Sequence, residues 1–230
     1  MLNLFQSNPR APVLAGIAVI AVTLLVVLEK FLTPVISRWG DIYPAAALFL
    51  VIACKTIIPL TLLWYSARLG PDCLSWVQGG MFQAVWKGVV LALFMMVVAG
   101  LYQNYSALVF HTPYTSTGLS ALQQTGTKAA IALLLSASLL NAFGEEIIFR
   151  GMLMPVLSAR RGMVLAVIVQ SVIFTGYHFF PLQNSVLLFI MGILFALGYL
   201  WSGSLLTPVV AHLIENGTGV IFYLVKMFAD

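Results

Sequence analysis

AAIALLLSASLLNAFGEEIIFRGMLM (residues 129–154) is a long apolar run that contains two adjacent glutamates, Glu145 and Glu146, and an arginine, Arg150. The run is long enough to cross the hydrocarbon core of a bilayer, which is about 30 Å thick. Charged side chains inside such a helix are costly, and they usually face the interior of a helix bundle or a wet cavity. The stretch therefore predicts a membrane span that carries a polar functional site.

The composition of the whole chain indicates an integral membrane protein. Of the 230 residues, 61% are hydrophobic and 8% are charged, and a soluble domain needs a larger charged and polar surface. We expect one membrane domain over residues 1–230, with its motif-bearing core at about 129–227. The net charge of +4 is spread over the connections, without the basic block typical of nucleic-acid binding. Lipid, and not nucleic acid, is the expected environment.

Apolar runs separated by glycine and proline predict an all-α fold, a polytopic transmembrane helical bundle of about seven spans, possibly eight. The first run, Ala11 to Leu28, is longer than the apolar region of a signal peptide and lacks a clear cleavage site. We therefore expect it to be retained as a span. The other predicted spans are Tyr43 to Ala67, Gly88 to Phe110, Ala129 to Met154, Gly162 to Phe180, Ser185 to Trp201 and Ser204 to Met227.

Positive charges predict the orientation of the chain, because cytoplasmic connections are enriched in lysine and arginine. With seven spans, the side of the N-terminus carries Arg10, Arg68, Lys87, Arg160 and Arg161, with Arg150 close by. The opposite side carries Lys30, Arg38, Lys128 and Lys226. The N-terminus is therefore predicted to be cytoplasmic, in a protein of the inner or plasma membrane.

The charged residues of the opening stretch differ in the partners that their own helix offers. Glu146 and Arg150 are four residues apart, with the acid first, which is the favourable order for an ion pair on one helix face. Glu145 lies about 100° further round the helix, and its neighbour at i−4 is Asn141. An intramembrane carboxylate without a cationic partner indicates a functional group. The alternative is one purely structural network of both glutamates with Arg150.

Later spans add histidine and asparagine to this polar set. His178 lies in FTGYHF (174–179), one helical turn after Phe174. His212 and Asn216, in AHLIENGTG (211–219), are four residues apart and project from one helix face. At 1.5 Å of rise per residue, these side chains reach depths similar to that of Glu145. They are expected to meet it in one cavity.

Three short motifs thus occur in order: EExxxR at 145–150, FxxxH at 174–178 and HxxxN at 212–216. This set resembles the type II CaaX prenyl endopeptidase and bacteriocin-processing family, also called the Abi or CPBP family, which includes self-immunity proteins. Each motif alone is weak, whereas three in this order are a specific signal. The resemblance covers about the C-terminal 100 residues, and the N-terminal half resembles the family only in being apolar.

The resemblance implies intramembrane hydrolysis of a peptide bond on a helical bundle. The implied roles are activation of water by Glu145 and His178, stabilisation of the oxyanion by His212 and Asn216, and support of the site by Glu146 and Arg150. These residue types fit amide hydrolysis, which needs a base for water, a donor for the oxyanion and a proton for the leaving amine. We therefore predict an intramembrane endopeptidase that acts on a membrane-associated or lipidated peptide.

Two mechanisms remain open at the level of sequence. A zinc protease uses about three His or carboxylate ligands and one water, and Glu145, His178, His212 and Glu215 include the right residue types. The HExxH signature is absent, and the two cysteines, Cys54 and Cys73, show no metal-binding spacing. We therefore favour a route without metal or other cofactor, with zinc as the alternative. Glu215, at i+3 from His212, weakens a simple oxyanion role for that histidine.

Two other classes of function compete with proteolysis. A proton-coupled transporter also uses intramembrane Glu and His, and could use Lys55 as well, but no inverted repeat of broken helices is visible. A non-catalytic immunity or chaperone-like member of the same family is the second alternative. The sequence names neither the peptide substrate nor the oligomeric state.

Overall fold

The computed structural model describes residues 11–27, 57, 61, 64, 77, 79–111 and 139–229, and no strand occurs within these ranges. Most of the described residues lie in helices, so the fold class is all-α as predicted. The helices, labelled in chain order, are α1 Ala11–Val27, α2 Met81–Phe110, α3 over 139–161, α4 Met163–Gly176, α5 Leu182–Ser202 and α6 Leu206–Ala229.

Helix α3 contains a π-helical segment that begins within the charged motif. Its α-helical start, 139–146, passes into a π-helix at Ile147–Leu153 and returns to α-helix at Met154–Arg161. The backbone stays in the right-handed helical region through both junctions, at Glu146 and Met154. The helix therefore continues beyond Met154, the predicted end of the span, and its turns widen before that residue. Wider turns of this kind often occur at functional sites.

The helices pack into a bundle that surrounds the charged segment. Helix α6 lies along α2, α5 packs against both α4 and α2, and α1 contacts the π-helical part of α3. The larger core cluster centres on the buried apolar residues of α3, α4 and α5, such as Phe149, Phe174 and Tyr199. A second cluster joins α2 to α5 and α6. The polar side chains of α3 are thereby enclosed from several sides.

Two glycines with positive φ end helices and allow short links. Gly162, at φ +86°, separates α3 from α4, and Gly203, at φ +70°, follows α5. The backbone N–H of Gly203 donates to the carbonyl of Tyr199 over 2.8 Å. A positive φ suits glycine because a Cβ atom would be strained there. These links keep α3 next to α4 and α5 next to α6.

The predicted spans agree with the observed helices to different degrees. Two helices, α2 and α5, are long and apolar enough by length and composition to cross a membrane. Helix α4 has 14 residues, or about 21 Å at 1.5 Å per residue, so the predicted span to Phe180 was too long. The span Tyr43 to Ala67 falls almost wholly outside the described residues. The count of seven and the orientation of the N-terminus stay predictions.

The contact between α2 and α6 depends on Gly88. A Cβ added there would lie 2.7 Å from Cβ of Val210 and 2.8 Å from the carbonyl oxygen of Thr207. The hydroxyl of Thr207 also donates to the carbonyl of Ala84 on α2, over 3.0 Å. The two backbones are therefore held too close for a side chain at position 88.

We expect Gly88→Ala to lower the free energy of unfolding by about 1–3 kcal/mol, because a backbone atom cannot move aside as a flexible side chain does. Gly100→Ala is the matched control on the same helix, since nothing lies within 4 Å of its added Cβ. It should be neutral or stabilising by up to about 1 kcal/mol. Unfolding of the purified variants in detergent measures both effects, and equal stabilities would contradict the close approach.

Candidate active site

Glu146 and Arg150 form a fully buried ion pair on α3. The Arg150 Nη1 atom donates to Oε1 of Glu146 over 2.9 Å, as their spacing predicted. The Nη2 atom donates to the carbonyl of Gly192 on α5, also over 2.9 Å. The guanidinium lies 4.7 Å from the ring centre of Phe174 and 5.0 Å from that of Phe195. Arg150 therefore ties the charged segment of α3 to both α4 and α5.

Gln170 on α4 completes the surroundings of the arginine. Its Nε2 atom donates to the carbonyl of Gly192 over 3.2 Å, so it shares this acceptor with Arg150. Gln170 is fully buried and also bonds to Ser171 Oγ. Polar groups buried this deeply are costly unless they are paired, which explains why the network crosses three helices.

His212 on α6 is oriented by the second glutamate. Its Nδ1–H donates to Oε1 of Glu146 over 2.8 Å, because a carboxylate can only accept. Its Nε2 atom then lies 3.6 Å from Oε2 of Glu145. The imidazole stacks on Phe195, with 4.5 Å between ring centres and an angle of 25°. The ion pair on α3 thus fixes the orientation of the His212 ring.

His178 is oriented by the end of helix α4. The helix ends at Gly176, and the backbone N–H of His178 donates to the carbonyl of Thr175 and not to that of Phe174. The Phe174 carbonyl instead accepts from Nδ1–H of the imidazole over 2.7 Å. Helix ends leave carbonyls without an intrahelical donor, and His178 uses one of them. Its Nε2 atom faces Oε1 of Glu145 at 3.9 Å.

Glu145 lies between the two imidazoles and is 2% exposed. Its Oε1 atom accepts hydrogen bonds from Nδ2 of Asn141 and from the hydroxyl of Tyr177. The carboxylate thus has neutral donors on one oxygen and a ring nitrogen near each oxygen, at 3.9 Å for His178 and 3.6 Å for His212. Distances of this length are too long for a direct hydrogen bond, and a water that lies beside the carboxylate can contact the ring nitrogens.

Sequence reasoning missed Tyr177 and Gln170. Nothing in FTGYHF distinguishes Tyr177 from an ordinary apolar neighbour of His178, and its contact with Glu145 exists only because α3 packs beside the end of α4. Gln170 is a buried polar residue within an apolar helix, which was a usable signal. Asn141 was noticed as the i−4 neighbour of Glu145, and this contact is present.

The remaining predicted residues lie further along α6. Asn216 is half-buried and follows His212 by one turn, and its role at an oxyanion stays a prediction. Glu215 is also half-buried, and its Oε1 atom has no hydrogen-bond partner in the part of the chain that the structure describes. The structure therefore brings together Glu145, Glu146, Arg150, His178 and His212.

Zinc binding by the alternative set of residues depends on how their side chains are arranged. Within the described ranges, no three or more His, Cys, Asp and Glu side chains are arranged to hold a metal ion. The set of Glu145, His178, His212 and Glu215 therefore does not fit a zinc site as these side chains are placed, and we derive no step through a metal. What the site does offer is a carboxylate between two imidazoles, with further polar groups on α6.

The described helices and this site define a class of protein: an apolar helical protein with glutamate and histidine side chains gathered within the bundle. The family profile described as "Type II CAAX prenyl endopeptidase Rce1-like" matches residues 127–218. The membrane-embedded CAAX protease MroQ of Staphylococcus aureus (strain USA300) is 33% identical over 99 residues. No solved structure matches this chain.

The family profile covers the region that carries the three motifs, and it supports the resemblance to the CPBP (Abi) family over this C-terminal region. The chain is therefore similar, over part of its length, to membrane-embedded proteases of the CAAX type. The alignment with MroQ covers 39% of this chain and 38% of that relative. The chain thus matches well under half the length of the curated relative.

Proposed function

We propose that this protein is an intramembrane endopeptidase that hydrolyses a peptide bond with a water molecule activated by Glu145 and His178. The observation that carries the proposal is the position of the Glu145 carboxylate, 3.9 Å and 3.6 Å from the Nε2 atoms of His178 and His212. A buried carboxylate beside imidazoles can accept the proton of a water that the ring nitrogens hold next to it. The type of the matching relative, a CAAX protease, supports the same reaction.

The proposed reaction conserves atoms and charge. Glu145 takes one proton from water, and the resulting hydroxide forms a C–O bond with the carbonyl carbon of the scissile amide. His178 holds the water through Nε2, because its Nδ1–H is directed to the Phe174 carbonyl. The negative oxygen of the tetrahedral intermediate accepts hydrogen bonds, and the C–N bond then breaks as the proton passes from Glu145 to the leaving nitrogen. The hydroxyl of the water ends in the new carboxyl group, and its proton ends on the new amine.

His212 and Asn216 are the proposed donors to the oxyanion. The Nδ1–H of His212 is directed to Glu146, so donation from Nε2 requires the doubly protonated imidazolium, which keeps both of its protons throughout the reaction. Asn216 follows on the same face of α6 and supplies an amide N–H. Glu146 and Arg150 act through His212, since they fix its ring but lie away from the water that Glu145 activates.

The proposed substrate is a membrane-associated or lipidated peptide, cleaved without a cofactor. Its identity can be found by comparing membrane peptides from cells that express the parent chain with those from cells that express Glu145→Gln. Mass spectrometry of newly formed termini should reveal a peptide cut only by the parent. Equal peptide profiles, with the phenotype of the gene retained in Glu145→Gln, would favour the immunity or chaperone-like role. Proton uptake into proteoliposomes without cleavage would favour a transporter.

Chelation tests the route without a metal. In purified full-length protein given the identified peptide, we expect cleavage to survive exhaustive treatment with EDTA and 1,10-phenanthroline. The reason is that the proton acceptor is a side chain, and the described site does not group three ligands for a metal. Elemental analysis should find far less than one zinc per chain. Loss of cleavage that stoichiometric zinc restores would contradict this route and make Glu215 the next residue to test.

A further inference from the structure

The two oxygens of the Glu145 carboxylate have different surroundings. Oε1 accepts from Asn141 Nδ2, one turn earlier on α3, and from the Tyr177 hydroxyl in the turn after α4. A carboxylate oxygen has two lone-pair sites, so these donors fill its acceptor capacity. Oε2 has no donor within hydrogen-bond distance among the described residues, and the Nε2 atom of His212 lies 3.6 Å away. Oε2 is therefore the oxygen with free capacity.

We propose that Tyr177 is a positioning residue that, with Asn141, occupies Oε1 and leaves Oε2 as the oxygen that takes the proton from water. The inference rests on the proposed function and specifies it, because it assigns the base to one atom. Without the two donors, the carboxylate can rotate about its terminal torsion, which is broad and roughly two-fold. The two oxygens would then exchange, and the proton acceptor would no longer have a fixed direction.

The packing of Tyr177 suits it to hold this position. Its side chain is 4% exposed, and its ring stacks on Phe149 of α3, with 5.6 Å between centres and an angle of 17°. It also meets the edge of Phe174, at 6.0 Å. The backbone N–H of Tyr177 donates to the carbonyl of Ile173, which fixes the turn that follows α4. The hydroxyl is thus presented to Glu145 by an immobilised ring.

The same turn presents His178 to the same carboxylate. The rings of Tyr177 and His178 are adjacent, with 4.0 Å between their centres, and both point to Oε1 of Glu145. One short turn therefore sets the direction of the carboxylate and the position of the imidazole together. The other charged or titratable groups that face Glu145 are His212 on α6 and the ion pair of Glu146 with Arg150 on α3.

The decisive variant is Tyr177→Phe, which keeps the stacked ring and removes only the hydroxyl. We expect kcat to fall about ten-fold, with KM changed less than about two-fold, because one hydrogen bond to a charged group is lost. A purely structural role would instead lower the yield of folded protein and leave kcat per folded molecule unchanged. An unchanged kcat would overturn the proposal.

Tyr102→Phe is the matched control. The Tyr102 hydroxyl donates to the backbone carbonyl of Gln183 over 2.6 Å, between α2 and α5. This variant loses one hydroxyl and one hydrogen bond without touching Glu145, so its kcat should remain that of the parent. Equal changes in both tyrosine variants would show a general effect of hydroxyl loss and would overturn the assignment to Tyr177.

A second measurement separates this inference from the proposed function. Unfolding is compared for the parent, Tyr177→Phe, Glu145→Ala and the double variant, which isolates the coupling between the two side chains. We expect Tyr177→Phe to lower the melting temperature of the parent but to have little effect in the Glu145→Ala chain. Absence of this coupling would overturn the inference whatever the activity. Clear coupling in a parent that cleaves no peptide would instead overturn the proposed function, and the catalytic role with it.

Discussion

Glu145→Gln is expected to lower kcat about 1,000-fold, within the range of about 10²–10⁴ typical of general acid–base catalysis, while the protein still folds. Glutamine has the same shape, and its oxygen can accept from Asn141 and Tyr177 as the carboxylate does. What it lacks is the ability to take a proton from water. The measurement is the rate of cleavage of the identified peptide by purified variant, alongside its melting temperature.

His178→Ala should have an effect of the same order, because the water loses the nitrogen that faces Glu145 at 3.9 Å. His111→Ala is its matched control: His111 is an exposed histidine that follows the end of α2, and its loss should leave cleavage unchanged. Full activity in folded Glu145→Gln would refute the proposed mechanism at its first step. Full activity in His178→Ala alone would move the holding of water to His212.

Glu146→Ala is expected to reduce the yield of folded protein as well as its activity. The substitution strands a fully buried Arg150 without its counter-charge, and breaking a buried ion pair costs about 3–5 kcal/mol. It also removes the acceptor of the His212 Nδ1–H. Fluorescence-detected size exclusion measures the folded yield, and the peptide assay measures the activity of what remains.

A double variant separates these two effects of Glu146. In Glu146→Gln combined with Arg150→Met, neither charge of this pair is left buried, and neutral replacement of a buried pair is often tolerated. We expect folded yield to recover, whereas cleavage should stay low because His212 no longer has a carboxylate to hold its ring. Parent-like yield and activity in Glu146→Ala would show that the pair supports neither the fold nor the site.

The spacing of residues in the sequence was sufficient to predict those contacts of the site that lie within one helix. The ion pair of Glu146 with Arg150 and the contact of Asn141 with Glu145 both join residues four apart, and such residues are neighbours on any helix surface. The π-helical segment, which nothing in the apolar pattern predicted, leaves the ion pair of Glu146 with Arg150 in place. Motif order likewise predicted the match to the family profile, because it depends only on residue types and their sequence.

Contacts between helices could not be predicted from the spacing of residues in the sequence. Glu145 and Tyr177 are 32 residues apart, and Glu146 and His212 are 66 apart, so their meeting depends on how α3, α4 and α6 pack. The length of α4 could not be predicted from local spacing either. Hydropathy continues through Phe180, but the helix stops at Gly176, and the carbonyl that this leaves accessible orients His178.

By itself, the sequence determined the apolar helical character of this protein, the order of its motifs and the neutralisation of Glu146 by Arg150, since all three follow from composition or from neighbours on one helix. Only the tertiary structure decided which atoms face Glu145: the hydroxyl of Tyr177 and the Nε2 atoms of two histidines. The physical reason is that a ring nitrogen is directed by whatever binds the other nitrogen. Here those partners are a helix-end carbonyl and a buried ion pair, and packing alone places them.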